Sequence, residues 1–185
     1  MLIGRNPVLL SIIGLTGCGK STFAALAAEF AADRGLSFAT VKLAAPLYTL
    51  QDKVYAVAGM KVPPGAQDQI LMENLAGELR RIQPASLATD FLRRLATIKA
   101  DVVVNDDLRD PHVDAVALRR HGFRIVRVTA DEAVRTARLT RRGDLSHSDR
   151  STAELDLIHP EVVIDNSGEL ARFRERATEI LEGWQ

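Results

Sequence analysis

The sequence predicts a three-layer α/β/α sandwich around a five-stranded parallel sheet. Three observations lead there. Short apolar runs rich in Val and Ile alternate along the 185 residues with longer runs of helical period. Strands buried on both faces by crossover helices read in this way. The pattern G-x-x-x-x-G-K-S stands at Gly14–Ser21, between the first apolar run and the first amphipathic one. A later apolar run, Asp101–Asp106, ends in acids.

The elements follow in order. Val8–Ile13 reads as the first strand, and Phe23, Leu26, Ala27 and Phe30 mark one face of the helix after the glycine-rich loop. Asp33-Arg34-Gly35 stops that helix. Ser37–Leu43 reads as the second strand. Pro46 opens a helix over 47–58, and a loop follows over 59–65 with Pro63-Pro64. Two more helical runs, 67–82 and 85–99, are divided by Pro84. The third strand is Asp101–Asp106. Pro111 starts the next helix, which ends at His121-Gly122. Phe123–Val128 is the fourth strand, a very polar segment runs over 135–156, and Val162–Ile164 is the fifth strand. The last helix carries Leu170, Phe173, Ala177, Ile180, Leu181 and Trp184 on one face. The chain is expected to be a single domain, with a substrate-binding insertion over about 47–99 and a lid over about 138–156.

Composition narrows the function classes. The 24 basic and 24 acidic residues cancel, which argues against a nucleic-acid partner. One cysteine excludes an internal disulfide. No apolar stretch approaches the roughly 20 residues of a membrane span, and no signal-peptide pattern opens the chain. A cytoplasmic protein with no membrane partner is the expectation.

The glycine-rich loop is the phosphate-binding loop of nucleoside-triphosphate enzymes. Its glycines let backbone N–H groups close on phosphate oxygens, and the following helix presents its positive end to the same anion. Gly14, Thr16, Gly17, Cys18, Gly19, Lys20, Ser21 and Thr22 would hold ATP. Lys20 would reach the β- and γ-phosphates and Ser21 would ligate Mg²⁺. Cys18 is a small residue in a tight loop and needs no redox role. The acidic strand end supplies the partner of this loop. Asp106 and Asp107 are adjacent and turn in different directions, so one serves metal and the other faces the acceptor. The order does not settle which; Asp106 is assigned to Mg²⁺ and Asp107 to the acceptor. Arg109 lies two positions on and shares the side of Asp107. Arg135, Arg138 and Arg142 recur at three- and four-residue steps on one helical face, where Arg138 and Arg142 would stabilise charge on the transferred group and Gly143 would hinge a lid. Lys42, just beyond the second strand, is a candidate cation for the acceptor.

Motif order adds a resemblance. Lys42-Leu-Ala-Ala-Pro-Leu47 resembles an F-A-D-P-L-K segment in which Ala45 replaces the acid and Tyr48 the lysine. Leu75–Arg81 resembles L-G-T-E-x-x-R, and Asn105–Arg109 resembles a D-V-R strand end. His147–Asp156 resembles a histidine–serine–acid segment before E-L-D, and Asp165–Leu170 an N-D-G-S-L turn. Together these resemble the P-loop nucleoside monophosphate kinase superfamily. Within it, the deoxynucleoside monophosphate kinases of bacteriophages stand nearest, with phosphomevalonate kinase and dephospho-CoA kinase as neighbours. The resemblance implies a P-loop NTPase fold and Mg-ATP-dependent phosphorylation of a (deoxy)nucleoside monophosphate. It also implies Arg81, with Lys42 and Arg109, at the acceptor phosphate, and Asn166 beside the adenine. A homodimer is left open. The weighed alternative is a kinase for another small molecule, such as a modified nucleotide, a coenzyme precursor or a phosphorylated alcohol; an alcohol would make Asp107 the base. A nucleotide-dependent switch is the third reading, disfavoured by the arginine-rich segment, the long insertion and the lack of an N-K-x-D motif.

Overall fold

The computed structural model describes residues 7–140 and 152–184. Arg142, Gly143, His147 and most of the expected lid lie outside the described residues. Strands β1 (Val8–Ile13), β2 (Phe38–Thr40), β3 (Val102–Asn105), β4 (Arg124–Thr129) and β5 (Val162–Asp165) form one sheet in the order β2-β3-β1-β4-β5. Every pairing is parallel, and Ser11 on β1 lies beside Asn105 on β3. The expected three-layer α/β/α arrangement is the observed one.

Alternation along β1 places its side chains on opposite faces. Leu10 and Ile12 join Val102, Val104, Val126 and Val128 on the face covered by α1 (Lys20–Asp33) and α7 (Leu170–Glu182). Phe23 of α1 meets Phe173 of α7 edge to face at 6.2 Å. Ile13, Val103 and Ile125 lie on the other face, beneath Phe91 of α4 (Ser86–Leu95) and Ala115 and Leu118 of α5 (Asp114–Arg120). Leu155 and Ile158, about a 3₁₀ turn at Leu155–Leu157, also return to this face. The helices α2 (Ala45–Val57) and α3 (Gln69–Ile82) precede α4 between β2 and β3. They close with it over a smaller core of Leu47, Met72, Ala76 and Leu87.

Two of the elements that are shorter than expected are cut back for the same reason. The second strand stops at Thr40 rather than Leu43 because side chains replace the ladder. Asn105 Nδ2 donates to the Val41 carbonyl (3.0 Å), and the amides of Leu43 and Ala44 donate to Asp107 (2.8 and 2.9 Å). The fifth helix begins at Asp114 rather than Pro111 because Asp110 Oδ1 accepts from the amides of His112, Val113 and Asp114. The helix expected over 85–99 ends at Leu95. The polar segment expected over 135–156 begins with a helix, α6 (Glu132–Leu139).

The α1–α7 contact covers one whole face of the sheet. Phe173→Ala removes a side chain 1% exposed and is expected to cost about 3–5 kcal/mol of unfolding free energy in urea titrations. A loss below about 1 kcal/mol would contradict this packing.

Candidate active site

The loop between β1 and α1 turns where the sheet ends. Gly14 has φ 146°, and a Cβ there would lie 2.3 Å from the Val128 carbonyl oxygen. Gly19 caps α1 with φ 110°, and a Cβ there would lie 2.0 Å from Asn166 Nδ2. No side chain caps α1, so its first-turn N–H groups keep their capacity for an anion. Lys20 Nζ bridges the loop, donating to the carbonyls of Gly14 (2.7 Å) and Leu15 (3.2 Å). Ser21 and Thr22 follow Lys20 in the first turn of α1, with Ser21 exposed. The Cys18 amide donates to the Leu15 carbonyl, while its side chain is buried in the core with Leu10, Ile12 and Phe23. Thr16 is buried, and Arg135 Nε donates to its carbonyl at 3.0 Å.

The outer side of the loop is held by residues far along the chain. Arg138 donates to the carbonyls of Gly17 (3.4 Å), Cys18 (3.3 Å) and Asn166 (3.0 Å). Asn166 Nδ2 donates to the Cys18 carbonyl at 2.8 Å. The structure therefore brings Arg138 and Asn166 to the loop itself.

The acids after β3 part as strand alternation requires. Asp106 is 9% exposed, and Lys42 Nζ stands 3.1 Å from its Oδ1 as an ion pair without hydrogen-bond direction. Burial works most strongly against the charge on Lys42, but Asp106, Tyr48 and Asp107 together outweigh it and hold the ammonium above the usual lysine range. Asp107 accepts from the Leu43 and Ala44 amides and from Asn105 Nδ2 (2.6 Å). Burial raises its carboxyl above the usual range, the Asp106 charge adds to that, and the amide donors pull the other way. Asn105 also accepts from Ser11 Oγ at 3.1 Å, so a buried polar chain runs from β1 through β3 to Asp107.

Beside Asp107 opens a cleft of about 710 Å³ between the sheet edge and the helical insertion. Leu43, Leu47, Met72 and Leu87 give it an apolar side. Its charged side holds Glu73, Glu78, Asp107, Asp110, Asp114 and Glu154 against Arg80 and Arg109 among the described residues. Arg80 Nη2 binds Asp114 at 2.6 Å, with Asp110 at 3.9 Å from Nε. Asp114 is 1% exposed; burial raises its carboxyl and outweighs the bond from Arg80. Arg109 lies 3.9 Å from Glu73.

Asp107 and Arg109 therefore face one cleft, and Lys42 stands at the Asp106 side of the same sheet edge. The structure does not bring Arg81 there. Its side chain is 70% exposed and pairs with Glu78. The arginine on the cleft is Arg80. The signal was present in the helix phase: Met72, Ala76 and Arg80 follow at four-residue steps, and the first two are buried. Arg93 is exposed against Asp90, while Arg94 donates to the Lys42 carbonyl at 2.6 Å. Asp110 and Asp114 carried no motif.

No protein-family model and no curated protein sequence matches the chain. Solved structures do share its fold. A gluconokinase from Sinorhizobium meliloti 1021 is 19% identical, over 97% of this chain and 94% of that one, with a TM-score of 0.56. A shikimate kinase from Acinetobacter baumannii, in complex with shikimate, is 14% identical over 96% and 92%, with a TM-score of 0.53. One from Aquifex aeolicus vf5 is 16% identical over 95% and 97%, with a TM-score of 0.50. At these identities the likeness establishes the α/β fold alone and reaches neither an activity nor a kinase subgroup.

Asp107→Ala would leave two backbone amides and Asn105 without their acceptor. The expected loss is about 2–3 kcal/mol in urea unfolding, with Asp107→Asn losing less. Equal, near-zero losses in both variants would remove Asp107 from its anchoring position.

Proposed function

We propose that the protein is a kinase that transfers the γ-phosphoryl group of Mg-ATP to a hydroxyl of a small molecule held in the 710 Å³ cleft. One observation carries this reading: a glycine-rich loop with an uncapped helix start opens at the same sheet edge as a mixed apolar and charged cleft. In parallel α/β sheets that edge is where ligands bind.

The parts have distinct tasks. Loop amides from Gly14 to Thr22 and the Lys20 ammonium would bind the triphosphate. Ser21 and Asp106 fit a Mg²⁺ ion that keeps phosphate oxygens and water as most of its shell. Asp106 Oδ1 is buried with no hydrogen bond, and the described residues hold no cluster of three metal-ligating side chains that would suit another ion. The ion would screen charge between the phosphates. The acceptor oxygen forms a bond to the γ-phosphorus as the bond to the bridging oxygen of ADP breaks, and the hydroxyl proton passes to the Asp107 carboxylate on the cleft wall. Arg109, and Arg142 from the segment outside the described residues, are assigned to the charge that develops.

The cleft favours a hydroxyl acceptor over a phosphate one. Its two arginines sit beside acids, so a monophosphate dianion would meet Glu73, Asp110 and Asp114 as well as Arg80 and Arg109. A hydroxyl-bearing small molecule is also in keeping with a fold shared by proteins named gluconokinase and shikimate kinase. A nucleoside monophosphate acceptor remains the second reading, supported by the two guanidinium groups on the cleft and by the motif order. An acceptor that is itself a nucleotide, and any dimer, belong to that reading. Among the described residues no helix is long and apolar enough to cross a membrane.

ADP release measured against alcohols and nucleoside monophosphates separates the two readings. The expected result is stimulation by an alcohol at least tenfold above that by any monophosphate. Stimulation by monophosphates alone establishes the second reading. Lys20→Ala is expected to reduce turnover at least a hundredfold with the unfolding midpoint within a few degrees of the native protein. Substantial activity in that variant would remove Lys20 from its assigned role.

A further inference from the structure

The carbonyl groups of the phosphate loop are not left to solvent. Three in succession are taken by side chains from the β4–β5 half of the sheet. Arg135 binds the Thr16 carbonyl, Arg138 the Gly17 and Cys18 carbonyls, and Asn166 the Cys18 carbonyl. A trans peptide holds its C=O and N–H in one plane, pointing in opposite directions. Fixing the oxygens of Thr16, Gly17 and Cys18 therefore fixes the directions of the Gly17, Cys18 and Gly19 N–H groups. Among the described residues the amides of Gly17 and Gly19 have no protein acceptor.

The side chains are built for this task. Arg135 is 7% exposed, which an arginine tolerates only with its donors engaged; Nε holds Thr16 and Nη1 holds Glu132. Asn166 is 4% exposed, and its own amide is tied to the Thr129 carbonyl at 2.8 Å. Arg138 also binds the Asn166 carbonyl, so the two loop-facing donors brace each other. The 2.0 Å approach of Asn166 Nδ2 to a Cβ at Gly19 means the asparagine occupies the space beside the cap residue.

We propose that Arg135, Arg138 and Asn166 clamp the outer face of the phosphate loop. They act as positioning residues that aim the Gly17 and Gly19 N–H groups at the triphosphate. Arg135 carries no assignment in the reading above, and Arg138 and Asn166 change theirs, from charge stabilisation and adenine contact to the shaping of the loop. The inference rests on the triphosphate reading of the loop. It differs from a nucleoside-binding role in a measurable way. A residue that touches adenine affects ATP alone. A residue that orients the loop affects every polyphosphate to the same degree.

The test measures dissociation constants for Mg-ATP and for Mg-tripolyphosphate, which has neither base nor sugar. The proteins are the native chain, Arg135→Gln, Arg135→Lys, Arg138→Gln and Asn166→Ala. Each neutral variant is expected to weaken both ligands by the same factor, about tenfold, with Arg135→Lys recovering part of the loss. In ADP-release assays KM for ATP rises by a like factor while kcat changes less than threefold. Arg135 is buried and its variants are read alongside their melting temperatures; Arg138→Gln and Asn166→Ala carry the test should Arg135→Gln unfold. Loss confined to ATP reassigns the residues to the nucleoside and overturns the clamp. Unchanged affinities for both ligands overturn it as well, leaving the kinase reading intact. A native protein that binds neither ligand defeats both.

Discussion

The end of β3 is the point from which the rest of the site is built. Asn105 is wholly buried between β1 and β2, and its side-chain amide is fully used, accepting from Ser11 and donating to the Val41 carbonyl and to Asp107. A buried amide with both ends satisfied fixes its neighbours in one arrangement. Asp107 passes that constraint to the amides of Leu43 and Ala44, which lead into α2. The helical insertion is therefore set against the sheet by hydrogen bonds as well as by its apolar core. The glycine-rich loop leaves β1 two residues after Ser11, so it inherits the same reference point.

From that point two environments of opposite character diverge. The loop side offers backbone N–H groups, a helix start and Lys20. The cleft side offers carboxylates, with its guanidinium groups already opposed by acids. A donor carrying three phosphates and an acceptor carrying a hydroxyl would sort between them by charge alone, because interactions in partly buried sites are less screened than in water. The split of Asp106 from Asp107 marks the boundary. Consecutive residues of an extended chain face opposite ways, so one carboxylate stands with Lys42 while the other turns to the cleft.

How much of this was legible in the sequence depends on distance along the chain. The strands announced themselves through apolar runs covered on both faces, and the loop through eight contiguous residues. The ends of β2 and α5 did not, because Asp107 and Asp110 intercept main-chain N–H groups that a propensity argument gives to strand or helix. Arg80 was within reach: the phase set by Met72 and Ala76 selects it over Arg81, but the L-G-T-E-x-x-R likeness pointed one residue on. The contacts of Arg135, Arg138 and Asn166 with Thr16, Gly17 and Cys18 each span more than a hundred residues. Their targets are carbonyl oxygens, which leave no mark on residue type. Nothing in the sequence distinguishes an arginine that binds a backbone oxygen from one that faces solvent.

Cys18 shows how tightly these demands meet in one residue. Its amide closes a turn onto Leu15, its carbonyl receives Asn166 and Arg138, and its side chain fills the core beneath the loop. A Cβ at Gly14 would come within 2.7 Å of its sulfur, so the glycine that opens the loop is required by the side chain as well as by the turn. A larger residue at position 18 has no room inward, and a polar one would carry an unmet hydrogen-bonding group into an apolar layer. The small, apolar character of cysteine suffices to explain its presence, and its thiol chemistry is not called upon. The phosphate loop is thus specified from below by packing and from outside by hydrogen bonds, which leaves its inner face to the ligand.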